Sequence, residues 1–106
     1  MILRHATTRQ RLESIRREGL RVACADPQAK IKACWLHTAS QSAWGAVHTM
    51  RKHHATLEDV VIVEVTVPRS WLTRFRTGLW YCTQDLPASA IGREYAGSEF
   101  GASASE

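Results

Sequence analysis

The stretch Val60–Val67 reads VVIVEVTV and decides the class of fold. Its residues are mostly β-branched, which favours a strand, and Pro68 ends the run. Side chains alternate between the two faces of a strand, so Glu64 is expected to point away from Val63 and Val65. A buried carboxylate there would need a partner, so we expect Glu64 to face solvent or a sheet edge.

Three further apolar runs are predicted to be strands: Ile2–His5, Lys32–His37 (KACWLH) and Leu79–Thr83 (LWYCT). Between the last two strands of the chain, Trp71 and Leu72 are interpreted as the start of a short helical or irregular segment. After the last strand, Leu86 and Pro87 are interpreted as a turn that leads to Ile91.

The first of two predicted helices follows Ile2–His5. Thr7 suits the N-cap position, because Gln10 stands three residues later in a capping-box pattern. Leu12 and Ile15 supply the apolar stripe of this helix. Gly19 suits the position just after its end.

The second predicted helix is capped by Thr38, again with Gln41 three residues later. Three apolar residues are expected to line its core face at helical spacing: Ala43, Val47 and Met50. Gly45 costs up to about 1 kcal/mol relative to alanine in a helix, so we expect a neighbour to pack closely against it. The helix ends in the basic segment Arg51–His54.

The order strand, helix, strand, helix, strand, strand predicts an α+β fold, with a small, mostly antiparallel sheet and two main helices. A chain of 106 residues is expected to form one domain. We place that domain at residues 1–95. Residues 96–106 are small and polar, and are expected to form a flexible tail.

The net charge of +4 is unevenly distributed along the chain. Up to Gln84 there are 13 Lys and Arg against 6 Asp and Glu, whereas the remainder holds one Arg and four acids. A basic body suits an anionic partner such as a dinucleotide, RNA or DNA. A solvated basic surface is the alternative.

The three cysteines fit neither a disulfide framework nor a zinc pattern, and Cys34 and Cys82 are expected to be buried. The segment with His48, His53 and His54 offers no ligand partner at useful spacing, so no metal is expected. The sequence shows no stretch that would span a membrane and no signal peptide, so a cytoplasmic location is expected.

Three segments together resemble the ADP-ribosyltransferase superfamily. In motif pattern they are similar to tRNA 2′-phosphotransferases and to DNA-modifying ADP-ribosyltransferase toxins. The segments are Leu3–Thr7 with the helix that ends at Ile15–Leu20, Trp35–Thr38, and Gly78–Thr83 with Leu86, Pro87 and Ile91. The resemblance implies an ADP-ribosyltransferase-like fold that binds NAD as a substrate.

By this resemblance His5 would be catalytic and would hold the ribose next to nicotinamide. Thr7, Trp35 and His37 would complete the NAD-binding set. An imidazole exchanges hydrogen bonds with hydroxyl groups, and an indole stacks on planar rings. Two alternatives stay open: a His5 that bonds only a neighbouring carbonyl, and a Trp35 that is a core residue.

Arg74 stands four residues before Gly78, the offset at which an arginine of the phosphotransferases faces the substrate phosphate. The resemblance therefore implies a catalytic and substrate-binding role for Arg74, with Arg76 beside it in substrate binding. A guanidinium fork suits phosphate. The alternative is that Arg74 and Arg76 are exposed loop arginines without a role in binding.

One feature departs from the superfamily, because Leu79–Cys82 lacks the glutamate that protein- and DNA-modifying members usually carry there. Two hypotheses follow. The chain is either an NAD-dependent transferase that acts on RNA or another nucleic acid, or a non-catalytic module on the same fold that binds nucleic acid or protein.

Overall fold

The computed structural model describes residues 1–24 and 30–100. The described chain contains six strands and two α-helices in an α+β arrangement, so the predicted class is confirmed. The strands are β1 (Ile2–Thr8), β2 (Cys34–His37), β3 (Val60–Thr66), β4 (Leu72–Arg76), β5 (Leu79–Cys82) and β6 (Ile91–Ala96). The helices are α1 (Arg9–Glu18) and α2 (Ser42–Lys52). All paired strands are antiparallel, in the order β4-β5-β2-β1-β3-β6.

The strand β3 lies inside the sheet, between β1 and β6, and is covered on both faces. The side chains of four consecutive residues, Val60 to Val63, are buried. Glu64 is half-buried and pairs with Arg4 on β1, so it lies in the interior of the sheet and not at an edge. Burial from both sides explains why this segment is almost continuously apolar.

The two helices pack on opposite faces of the sheet. On one face, Ile15 of α1 shares a core cluster with Leu3 and Val63. On the other face, Ala46 of α2 packs with Val60 and Ile62. Since neighbouring residues of β3 point to opposite faces, these two clusters are separated by the sheet itself.

Both predicted helix starts are wrong by a short distance. Thr7 is a buried residue of β1 paired with Val61, and the N-cap of α1 is Thr8. Pairing with β3 continues to the end of β1, and this pairing overrides the local capping pattern. Thr38 precedes a 3₁₀ turn, so α2 begins only at Ser42. Gly19 ends α1 with a φ of 82°, as predicted.

Two edge strands are missing from the sequence-based prediction. The helical or irregular segment predicted at Trp71 is a short 3₁₀ turn, but Leu72 already begins β4. The predicted domain boundary at residue 95 falls inside β6. Phe100 packs near Tyr95, so residues 96–100 belong to the folded body, while residues 101–106 lie outside the described part.

The inner strand β1 is paired very differently on its two sides. Seven residue pairs join it to β3, from Ile2↔Thr66 to Thr8↔Val60. A single pair, Arg4↔His37, joins it to β2. Beyond that pair the two strands separate, and the gap between them forms a cleft. None of the helices in the described residues is long and apolar enough to cross a membrane.

Candidate functional site: a cleft between β1 and β2

A cavity of about 570 Å³ occupies the gap between β1 and β2. This volume lies within the usual range of small-molecule sites, roughly 300–1,000 Å³. The cavity reaches both helices, because the gap connects the two faces of the sheet. Its wall includes Ile15 and Glu18 from α1, and Gly45 and Thr49 from α2.

The structure brings four of the predicted site residues together. His5, Thr7, Trp35 and His37 all line this cavity, although they come from two separate strands. These four side chains are therefore neighbours in the fold, and their predicted role in binding NAD stays a prediction. Thr7 and His37 are buried, whereas His5 and Trp35 are partly exposed to the cavity.

His5 bridges the gap between the separating strands. Its Nδ1 lies 2.9 Å from the main-chain carbonyl of Trp35. A carbonyl only accepts hydrogen bonds, so Nδ1 carries the proton and donates, which leaves Nε2 as an acceptor in the neutral ring. Burial lowers the pKa of His5, an effect that this hydrogen bond opposes and that Arg11 and Lys52 reinforce. A neutral ring at pH 7 is the result.

His37 is almost fully buried, at 3% exposure. Its Nε2 has no hydrogen-bond partner among the described residues. Burial lowers the pKa of His37 to about 4, with smaller contributions from His5 and Arg4. Buried polar atoms are nearly always paired, so an unpaired Nε2 in a cavity wall is a group that a ligand or water would satisfy.

Gly45 allows α2 to approach His37. A Cβ atom at Gly45 would lie 2.7 Å from the Cε1 of His37. The expectation of close packing at this glycine is confirmed. The predicted core face of α2 is only partly correct: Met50 packs against the core cluster of Ala46, but the buried residues are Ser42, Gly45, Ala46 and Thr49. Ala43, Val47 and Met50 are half-buried beside them.

Arg4 has a structural position on the face opposite His5. Its Nη1 donates a 2.9 Å hydrogen bond to the hydroxyl of Ser42, which ties β1 to the first turn of α2. The guanidinium also lies over the ring of Tyr95, 4.3 Å from its centroid. Together these contacts fix α2 against the sheet, and α2 in turn supplies one wall of the cleft.

Trp35 belongs to an aromatic group at one end of the cleft. Phe75 stands edge-on to it with ring centroids 5.2 Å apart, and Tyr81 is 5.1 Å away. Trp35 is therefore packed on one side, as the core interpretation required, and exposed to the cavity on the other.

The two predicted substrate arginines lie outside the cavity wall. Arg74 donates a 3.0 Å hydrogen bond to the hydroxyl of Thr77, on the outer edge of the sheet. The pairing of β4 with β5 shifts between Arg74 and Arg76, and Phe75 lines the cavity instead. Arg76 reaches only the rim, where it lies 5.5 Å from the ring of Trp44.

Several wall residues were not predicted from the sequence. Trp44, His48 and Lys52 stand on the side of α2 that faces the cavity, and Arg11 stands on α1. Lys52 belongs to a basic helix end, which is also typical of a solvated surface, and no motif marks the other three residues. Glu18 is the one carboxylate among the described wall residues.

No protein-family model matches this chain, and no curated protein sequence matches it either. In the part of the chain that the structure describes, no group of three or more His, Cys, Asp or Glu side chains has a metal-binding arrangement.

Proposed function

We propose that this chain binds NAD⁺ in the cleft between β1 and β2 and acts as a transferase of the ADP-ribosyltransferase type, with an RNA or DNA acceptor. The observation that supports this best is the assembly of His5, Thr7, Trp35 and His37 in one cavity of about 570 Å³. These residues carry two of the three motifs on which the resemblance rests.

The cleft offers groups that suit a nucleotide with a ribose and a planar ring. The Nε2 of a neutral His5, which has no partner in the described part of the chain, accepts a hydrogen bond from a ribose hydroxyl. The exposed side of Trp35 stacks on a ring. His37 supplies a second, buried imidazole whose Nε2 is unpaired among the described residues.

The charge state of both histidines fits the proposed reaction. NAD⁺ supplies a ribose carbon that gains positive character as nicotinamide leaves. Burial holds the pKa of His5 and His37 below the ordinary value, so both rings stay neutral at pH 7 and do not repel that charge. Positioning and electrostatics carry most of the rate enhancement in such reactions.

A second candidate function is a non-catalytic module that binds nucleic acid or protein. Two features of the cleft wall favour it. Among the described residues β5 contributes no carboxylate to the wall, and the carboxylate of Glu18 on α1 is exposed. It is also favoured by Phe75 and Trp44, which are 55% and 38% exposed beside Arg76. Exposed aromatic rings with an arginine form a stacking surface for single-stranded nucleic acid.

Calorimetric titration with NAD⁺ tests the first proposal. Saturable binding is expected for the wild type and for Ile2→Ala, an exposed position on the same strand as His5. Binding and nicotinamide release are expected to be lost in His5→Ala, with the circular-dichroism spectrum unchanged. Retained turnover in a folded His5→Ala protein would remove His5 from the site.

The module is tested by titration with a fluorescent single-stranded oligonucleotide at several salt concentrations. Affinity should fall steeply with salt, because phosphate contacts release counterions. An absence of NAD⁺ binding at millimolar concentration, together with salt-dependent oligonucleotide binding, would favour the module over the transferase. Binding of neither ligand would contradict both proposals.

A further inference from the structure

The end of α2 meets the start of α1 at one corner of the cleft. Four basic side chains gather there and are called the basic corner: Arg11, His48, Lys52 and His53. Arg11 and His53 also line a second, open cavity of about 620 Å³. The two cavities therefore adjoin at these two residues.

Like charges crowd the basic corner. Burial lowers the pKa of His53, and Arg11, Lys52 and His48 lower it further. The pKa of His48 is lowered by burial and then by Lys52 and Arg76. Every charged neighbour in these two sets is cationic or basic, so the basic corner holds a concentrated positive potential.

Among the described residues, two acidic side chains line the two cavities, and both accept hydrogen bonds from residues outside the basic corner. Asp59 lines the second cavity, but it accepts a 3.0 Å hydrogen bond from the hydroxyl of Thr56. Glu18 lies at the opposite end of α1 from Arg11 and accepts from Ser14.

Two other arginines of α1, Arg9 and Arg16, have partners within the protein, and Arg11 differs from them in this respect. Arg9 donates to the carbonyl of Glu58 at 2.8 Å, and Arg16 pairs with Glu94 at 3.2 Å. The guanidinium of Arg11 has no hydrogen-bond or ion-pair partner among the described residues. It is therefore the arginine of this helix that is placed in a cavity with its donors available.

The first turn of α1 adds to the same potential. It contains no acidic residue, and its N-cap Thr8 makes no side-chain capping bond. Thr8, Arg9 and Gln10 line the second cavity. Unpaired main-chain N–H groups at the start of a helix favour an anion, so the helix and the basic corner act in the same direction.

We propose that the basic corner is a binding site for a phosphate or pyrophosphate group. A guanidinium, an ammonium and two imidazoles supply charge-assisted hydrogen bonds to such an anion. The site goes beyond the proposed NAD⁺ function and does not depend on it. The phosphate belongs either to a dinucleotide in the main cleft or to a second molecule that enters through the second cavity.

Calorimetry with inorganic pyrophosphate at low salt is the test. Two substitutions remove charge from the basic corner, Arg11→Gln and Lys52→Gln, and each has a matched control. Arg17→Gln is the control on α1 and Arg51→Gln is the control on α2, because both arginines are exposed and line neither cavity. About tenfold weaker binding is expected for each corner variant, which corresponds to one lost charge-assisted hydrogen bond.

Changes within twofold are expected for both control variants. Equal weakening by corner and control variants would overturn the site, because it would show only a general effect of surface charge. No binding of pyrophosphate at millimolar concentration would overturn it as well. An NMR titration adds a second readout, in which bound pyrophosphate raises the pKa of His53.

Competition between pyrophosphate and NAD⁺ identifies the source of the phosphate. Mutual exclusion, with NAD⁺ also weakened by Arg11→Gln, assigns the site to the dinucleotide. Simultaneous binding assigns it to a second phosphorylated molecule. Pyrophosphate binding in a protein that does not bind NAD⁺ would keep the basic corner and overturn the proposed transferase, so the two failures are distinguishable.

Discussion

The two sides of β1 show how one strand serves both the core and the cleft. Toward β3 it is paired along its whole length, by seven residue pairs, and contributes Leu3 to the buried core. Toward β2 it is paired once, at Arg4, and the next residue faces a cavity. The closed side holds the strand rigidly in place, so the open side can hold its cavity-lining residues in fixed positions.

On the open side, a side chain satisfies one main-chain carbonyl that the neighbouring strand does not reach. Where the main chain of β1 no longer reaches β2, the side chain of His5 takes over and donates to the carbonyl of Trp35. A main-chain carbonyl without a partner is costly in a protein interior. His5 thus has a structural bond on Nδ1, and its Nε2 has no hydrogen-bond partner among residues 1–24 and 30–100, so the structural and binding interpretations of this residue are compatible.

The largest predicted effect comes from breaking the closed side. Leu3→Ala should lower the free energy of unfolding by about 4 kcal/mol, because Leu3 is 1% exposed and its loss leaves a cavity. Ile2→Ala, at 66% exposure on the same strand, should change it by less than about 0.5 kcal/mol. Urea denaturation of the three proteins measures both. Equal losses would contradict the assigned register of β1.

The difference between the strands also explains how much of the fold was predictable. β3 is buried on both faces, so its β-branched run identifies it without any knowledge of its neighbours. β4 and β6 are edge strands, and four of the five residues of β4 and three of the six residues of β6 are exposed. The charged residues, such as Arg74 and Arg93, suppress aggregation at an edge, and they also hide a strand from pattern analysis.

Short motifs predicted part of the lining of the candidate cleft, whereas the residues that tertiary packing brings there were not predicted. His5 and Trp35 were identified from local patterns that resemble a family, and both line the cleft. Arg74 was placed by its spacing from Gly78, but a shift in strand register puts Phe75 in the wall. Arg11 lines the cleft because the start of α1 lies near the end of α2 in the fold, and no local sequence pattern indicates this proximity.

The second prediction concerns pH and the buried His37. Its pKa is about 4 in the folded protein, below the unfolded value of 6.5, so the unfolded state takes up a proton first as the pH falls. Stability is therefore complete above pH 6.5 and is lost progressively toward pH 4. Each pKa unit is worth about 1.4 kcal/mol, so His37 accounts for about 3 kcal/mol of this loss.

His37→Gln should remove that part of the pH dependence. Urea denaturation between pH 7 and pH 4 should show a shallower loss of stability for the variant than for the wild type. The lowered pKa of His5 maintains some slope in both proteins. Parallel pH profiles would contradict the burial of a neutral His37 between the sheet and α2.

The third prediction tests the contact that places α2 beside the open side. Gly45→Ala should lower the free energy of unfolding by about 2 kcal/mol, because the new methyl group overlaps the ring of His37. Gly92→Ala is the control, since its Cβ would lie 3.6 Å from the carbonyl oxygen of Glu64, an ordinary contact.

A double-mutant cycle identifies the cause of this loss. In a His37→Ala background the ring is absent, so Gly45→Ala should cost much less than it does alone. Purely additive losses would show that the glycine is required for a reason other than its approach to His37.

The smallest predicted effect comes from removing the bond that spans the gap. His5→Leu keeps an apolar body of similar size and deletes the hydrogen bond to the carbonyl of Trp35. The free energy of unfolding at pH 7.5 should fall by about 1 kcal/mol, the usual net worth of one such bond. The same denaturation measurement as for Leu3→Ala gives the comparison, two residues apart on one face of β1. A loss as large as that of Leu3→Ala would make His5 a core residue. The expected small loss would mean that the fold depends little on His5, so its ring remains available to bind a ligand.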